Sequence, residues 1–114
     1  MTIKRGSIVK LSWTLPNGDR VVHPGLVLSG TKLLKTESIF YAVMISKKNR
    51  HPEFTLQVDE SQLSKPLPKI SFFVTQLVAS FRRDKIVDDY NISVKEPYLL
   101  QVISKVSTSI FGGL

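Results

Sequence analysis

Apolar side chains follow two periods along this 114-residue chain, a two-residue alternation through most of it and a helical repeat near the end. Val9, Leu11 and Trp13 alternate with Lys10 and Ser12, which predicts a strand with one buried face. Pro16-Asn17-Gly18-Asp19 is strong turn chemistry, so residues 14–22 read as a loop or hairpin tip. Leu26 to Leu28 read as a short strand stopped by Gly30, and the polar residues 31–37 as a connection with a short turn. Ser38 to Ile45, rich in β-branched and aromatic residues, reads as a central strand. Phe54, Leu56 and Val58 alternate with Thr55 and Gln57 in the cleanest strand pattern of the chain. Pro66 and Pro68 mark a loop before a strand over Ile70–Val74, and Leu77–Phe81 continues as a strand or a bend.

The period then changes. Ser93 and Glu96 have the spacing of a capping box, Pro97 fits a first helical turn, and Gly112-Gly113 ends the segment. Between them Leu99, Val102, Ile103, Val106 and Ile110 fall on one helical face. Short strands followed by one helix predict a mainly β fold, a small bent antiparallel sheet or partly open barrel closed by that helix. The length fits one domain, residues 1–114, with one modest core.

Composition narrows the chemistry. There is no cysteine, so disulfides and thiolate metal sites are excluded, and two histidines make a poor metal constellation. Neither a metal nor a cofactor is expected. No apolar run approaches the roughly 18 residues that span a bilayer, and residues 1–9 lack a signal-peptide pattern, so the expectation is a soluble cytoplasmic protein. The net charge of +7 favours encounters with polyanions, although a small domain can carry such charge for solubility alone. The cations cluster as Lys47, Lys48 and Arg50 and again as Arg82, Arg83 and Lys85, which favours a patch.

Two predicted strand ends carry the candidate chemistry. His23-Pro24 leads into Leu26-Val27-Leu28, and Phe40–Ile45 breaks off at Ser46, followed by Lys47-Lys48-Asn49-Arg50-His51. An imidazole, a hydroxyl and a cluster of positive charge suit a phosphodiester, with the loop gripping phosphates and touching base edges. For each the plainer alternative stands beside the functional one: a strand-end histidine bonded to backbone, a hydroxyl capping a turn, a solvated loop.

Arg5-Gly6-Ser7-Ile8-Val9 followed by His23-Pro24-Gly25-Leu26-Val27-Leu28-Ser29 resembles the opening of the MazF/PemK (Kid) toxins of bacterial toxin–antitoxin systems. Those begin Arg-Gly-Asp/Glu-Ile-Val and continue, after a loop, with Arg-Pro-Ala-Val-Val-Ile/Leu-Ser. Val43-Met44-Ile45-Ser46 is similar to their apolar strand ending in Thr, and His51–Val58 to the strand after it. Thr75–Phe81 is similar to their Asp-Gln-Val-Lys-Ser-Ile block, and the segment ending Ile110-Phe111-Gly112 to their terminal helix. The order is kept over nearly the whole chain.

The resemblance implies an SH3-like barrel with a packed C-terminal helix, the CcdB/Kid/MazF toxin fold. It implies a homodimeric, metal-independent endoribonuclease that cuts single-stranded RNA and is neutralised by a cognate antitoxin. The catalytic pair would be His23 and Ser46, standing where the family has arginine and threonine. Arg20 could supply the fixed charge that His23 lacks. Lys47, Lys48, Asn49, Arg50 and His51 would contact RNA, as would Gln76, which keeps the family glutamine while Thr75 replaces its acid. The alternatives are a catalytically degenerate homologue that binds RNA or antitoxin, and a CcdB-like gyrase-binding toxin. The last rests on the shared fold and on a loose similarity of the tail Phe111-Gly112-Gly113-Leu114.

Overall fold

The computed structural model describes residues 3–112. Strands β1 (Ser7–Thr14), β2 (Arg20–Val27), β3 (Ile39–Ser46), β4 (Thr55–Gln57), β5 (Phe72–Arg82) and β6 (Asp88–Ser93) form one sheet. Helix α1 (Thr31–Thr36) links β2 to β3, and α2 (Glu96–Phe111) follows β6. The strand order is β4-β5-β3-β2-β1-β6 and every pairing is antiparallel. The fold class expected from the pattern, mainly β with a C-terminal helix, is therefore present. The sheet is not closed, because β4 and β6 do not pair with each other. The chain just beyond each edge does meet, at the isolated bridge Leu63–Val94, where the Ser64 N–H donates to the Ser93 carbonyl at 2.9 Å.

Alternation along the strands gives the sheet two buried faces. On one, Ile8, Leu26, Val43, Ile45 and Phe73 pack under Leu99, Val102 and Val106 of α2. On the other, Val9, Leu11, Trp13, Phe40 and Met44 pack with Leu34 of α1. Trp13 sits edge-on to Phe81 with ring centroids 4.8 Å apart, and Met44 and Ile45 are core as expected.

Several boundaries differ from the sequence reading. Residues 14–22 are not all loop: β1 runs to Thr14 and β2 starts at Arg20, leaving only 15–19 as the turn. β4 has three residues, because Phe54 gives its carbonyl to Thr75 outside the ladder and Val58 bonds to Ser71. The expected strand or bend near Leu77 is one long strand, β5, with an irregularity. Val74 pairs with Met44 and Val78 with Val43, so Thr75, Gln76 and Leu77 all bulge against one step of β3. Buried Thr75 anchors the bulge: its N–H and its hydroxyl both donate to the Phe54 carbonyl, and Ser109 Oγ lies 2.7 Å from its oxygen.

The capping box does not form. Ser93 belongs to β6, Lys95 is the N-cap with no side-chain cap, and Glu96 instead pairs with Arg5 at 3.4 Å. Pro97 does occupy the first turn, and Gly112 ends α2 with φ 74, a left-handed value that suits glycine. Gly113 and Leu114, part of the expected terminator and tail, lie outside the described residues. Ile110, expected on the buried stripe, is 43% exposed.

Candidate nucleic-acid interface

β2 enters the sheet through His23 and Pro24, and Pro24 has no N–H to give a ladder. The β2–β3 pairing runs from Val27–Ala42 to Gly25–Met44. Continued two residues further, the same register sets His23 opposite Ser46, on the face that carries Met44. Both residues border a cavity of about 580 Å³ at that end of the sheet. Leu15, Pro16 and Val21 from the β1–β2 hairpin, with Met44, Val74 and Leu77, give it apolar walls. Lys47, Lys48, Arg50 and His51 bring the β3–β4 loop to its rim, and Gln76 reaches it from the β5 bulge. No aspartate or glutamate lines it.

The local contacts fix several of these groups. Trp13 Nε1 donates to the His23 carbonyl at 3.2 Å, which holds the β2 backbone at the cavity edge. Burial pushes the His23 pKa down from its usual value, and Lys47 and then Lys48 push the same way, against a hydrogen bond with the Ile45 backbone. His23 is therefore neutral at pH 7 and able to accept a proton. Ser46 Oγ accepts the Lys48 N–H at 3.2 Å, the geometry of a turn-capping hydroxyl, and keeps its own proton to donate. Gln76 Oε1 is buried with no hydrogen-bond partner, an acceptor left open.

Of the residues singled out in the sequence, His23, Ser46, Lys47, Lys48, Arg50, His51 and Gln76 come together here. Two do not. Asn49 is outside the lining and accepts the Thr55 hydroxyl, tying the cationic loop to β4. Arg20 pairs with Thr14 on β1, three residues before His23, so it hangs from the opposite face of the ribbon and bonds Ser12 Oγ at 3.3 Å. It cannot supply the fixed charge beside His23; Lys47 and Lys48 are the charges that His23 feels. Sequence reasoning missed Asn17 and Thr55, which also line the cavity. The turn signal around Asn17 was visible, but nothing in the sequence folds that turn over the strand ends.

No family profile matches the sequence, and no curated protein does. Solved structures do match. MazF from Deinococcus radiodurans superposes with a TM-score of 0.75 at 14% identity, covering 95% of this chain and 96% of that one. A mycobacterial endoribonuclease in complex with its cognate antitoxin gives 0.74 at 13% identity, covering 96% and 95%. The Mycobacterium tuberculosis toxin MazF-mt6 gives 0.66 at 10% identity, covering 94% of each chain. The chain has the fold of the MazF toxins, as the ordered motifs implied.

Proposed function

We propose that this chain is a metal-independent endoribonuclease of the MazF type, cutting single-stranded RNA in the 580 Å³ cavity. One observation carries the reading. Both of the chain's histidines and the cations Lys47, Lys48 and Arg50 border one cavity that no carboxylate lines. Imidazole is the side chain suited to moving protons near neutrality, and a carboxylate-free rim welcomes phosphate.

In this mechanism neutral His23 takes the proton of a ribose 2′-hydroxyl. The 2′-oxygen bonds to the adjacent phosphorus, the P–O5′ bond breaks, and the leaving 5′-oxygen takes a proton from His51. The products are a 2′,3′-cyclic phosphate and a 5′-hydroxyl. Lys47, Lys48 and Arg50 stabilise the added negative charge of the transition state, and the Ser46 hydroxyl donates to a non-bridging oxygen. The apolar wall of Met44, Val74 and Leu77 receives a base, whose N–H finds the open Gln76 acceptor.

A homodimer and an antitoxin partner belong to the same proposal. A mycobacterial neighbour of this fold was solved with its cognate antitoxin, and exposed Leu100, Ile110 and Phe111 on α2 give apolar surface for association. Sedimentation giving a monomer at tens of micromolar would count against a shared groove. The function itself is tested by incubating the protein with long mixed-sequence RNA and EDTA, beside His23→Ala and His51→Ala. Cyclic-phosphate ends that disappear in both variants are expected. Loss of cutting with EDTA, or 3′-hydroxyl ends, would refute the mechanism. RNA bound but never cut would favour a degenerate binding protein, a reading that the turn-capping geometry of Ser46 supports.

A further inference from the structure

A second cavity, of about 630 Å³, lies where the N-terminal segment, α1, the end of β5 and the start of α2 meet. Its lining shares no residue with the first. Lys4, Arg5, Lys35 and Arg83 border it with the Thr31 hydroxyl, and Glu96 is the one carboxylate in the wall. We propose that this cavity is a binding site for a phosphate group.

The two arginines carry the argument. A guanidinium has five N–H donors in a rigid fork. Arg5 has one ion-pair contact, 3.4 Å to Glu96, and Arg83 has one hydrogen bond, 3.0 Å to the Glu37 carbonyl. Each is thus tethered at one nitrogen, with most of its fork unused. In both, Nε is buried and without a partner, and only one other buried side-chain polar atom among the described residues shares that condition. Orphaned buried donors on charged groups cost free energy until an acceptor arrives.

Glu96 offsets one of the four cations, and Arg5 already holds it. What remains is an excess of convergent positive charge and a hydroxyl around an open space. A phosphate, with several strong acceptor oxygens, can meet two forks and a hydroxyl at once, whereas a carboxylate has only two oxygens to share.

The position separates this site from the first. Arg83 follows Arg82, which pairs with Ile39 at the start of β3, while Ser46 at its other end borders the first cavity. Seven strand steps at about 3.3 Å put those ends roughly 23 Å apart. One phosphate cannot serve both. The group is either a distant backbone phosphate of the same RNA or belongs to a separate small phosphate compound. The inference does not rest on the nuclease reading.

The test is titration of isotope-labelled protein with inorganic phosphate, followed by the amide signals of Arg5, Thr31, Lys35 and Arg83. Saturable shifts at millimolar phosphate are expected, lost in Lys35→Gln/Arg83→Gln. Should the double variant melt early, exposed Lys35→Gln alone should still weaken binding several-fold. No saturable shifts in the wild type, or equal shifts in the variants, would overturn the site, as would a response to a glutamate-rich peptide but not to phosphate. A non-cleavable RNA oligonucleotide then distinguishes the source. If its backbone occupies the site, the double variant flattens the log–log salt slope by about 1.4, at about 0.7 per lost contact. With phosphate shifts present but the slope unchanged, the occupant is a free phosphate compound. Neither readout requires cleavage, so failure of the nuclease reading would leave this result interpretable.

Discussion

Replacing Lys47, Lys48 and Arg50 together by alanine should change how RNA binding depends on salt more distinctively than it changes binding at any one condition. All three are exposed and border the same cavity, and none is paired with an acid. A phosphate held by each would release condensed counterions and contribute about 0.7 to the log–log slope for a single strand. The triple variant should therefore have a slope flatter by about two. Between 50 and 200 mM salt, a slope difference of about two corresponds to roughly a 20-fold change in the affinity ratio of wild type to variant. The wild type should hold a large advantage at low salt and lose most of it at high salt. Fluorescence anisotropy with an RNA oligonucleotide lacking 2′-hydroxyls at the cleavage step would measure this across a salt series. The exposed loop makes a folding defect an inadequate explanation, and thermal melting of the variant checks that point. An unchanged slope would refute the assignment and move the nucleic-acid face away from this loop.

Three further perturbations test other links. Because His23 is held below the usual histidine pKa by burial and by Lys47 and Lys48, the rate should fall as pH drops through a value below about 6.5, and Lys47→Ala should move that limb upward; a limb that stays in place refutes the coupling. The same group is protonated more readily in the unfolded chain, so its contribution to stability holds above about 6.5 and is lost as pH falls through that value, which denaturant titrations at several pH values with and without His23→Ala would reveal. Gly25→Ala would set a methyl 2.8 Å from Leu11 Cδ1 and 3.0 Å from Trp13 Cζ2, and should cost about 1–3 kcal/mol in a urea melt; an unchanged midpoint would show that the indole shifts freely. Thr75→Val removes the hydroxyl that bonds Phe54 and Ser109 and should cost about 1–2 kcal/mol, with no loss meaning that the β5 bulge is held by the Thr75 N–H alone.

What could be read from the sequence was whatever one face of one element records. Val9, Leu11 and Trp13 alternate because β1 buries that face, and Leu99, Val102 and Val106 share a stripe because α2 covers the sheet. β6 escaped because it is an edge strand: of its six residues only Ile92 is buried, so Asp88-Asp89 looks like loop. Ser93 and Glu96 have capping-box spacing, yet Ser93 gives its N–H to Ser64 Oγ and its carbonyl to the Ser64 N–H. Cross-strand bonding outcompeted a local cap. Arg20 was misjudged because residues 14–22 read as loop; once β2 includes it, an odd offset from His23 puts it on the other face. The convergence of His23, Ser46 and the 47–51 loop was legible because register brings strand ends together. The open Gln76 acceptor depends on a bulge that no local pattern announces.

The departure at position 23 is coupled to the one at position 25. Where the resembling toxins have Arg-Pro-Ala, this chain has His23-Pro24-Gly25, and the indole of Trp13 occupies the space an alanine methyl would need. That same indole donates from Nε1 to the His23 carbonyl, so the missing methyl allows the contact that fixes the histidine's backbone. Histidine and glycine thus act through one tryptophan, and their substitutions should not add. His23→Arg alone puts a cationic fork on a backbone set for imidazole; in a site rebuilt around His23 and His51 it should lower the rate and remove the acidic limb of the pH profile. Adding Gly25→Ala displaces the indole, frees the carbonyl and brings back the toxins' motif. If the double variant cuts RNA faster than the product of the two single effects allows, the pair is one coupled change in how the site moves protons. Simple additivity in rate and in melting would mean that Trp13 packs against both positions without linking them.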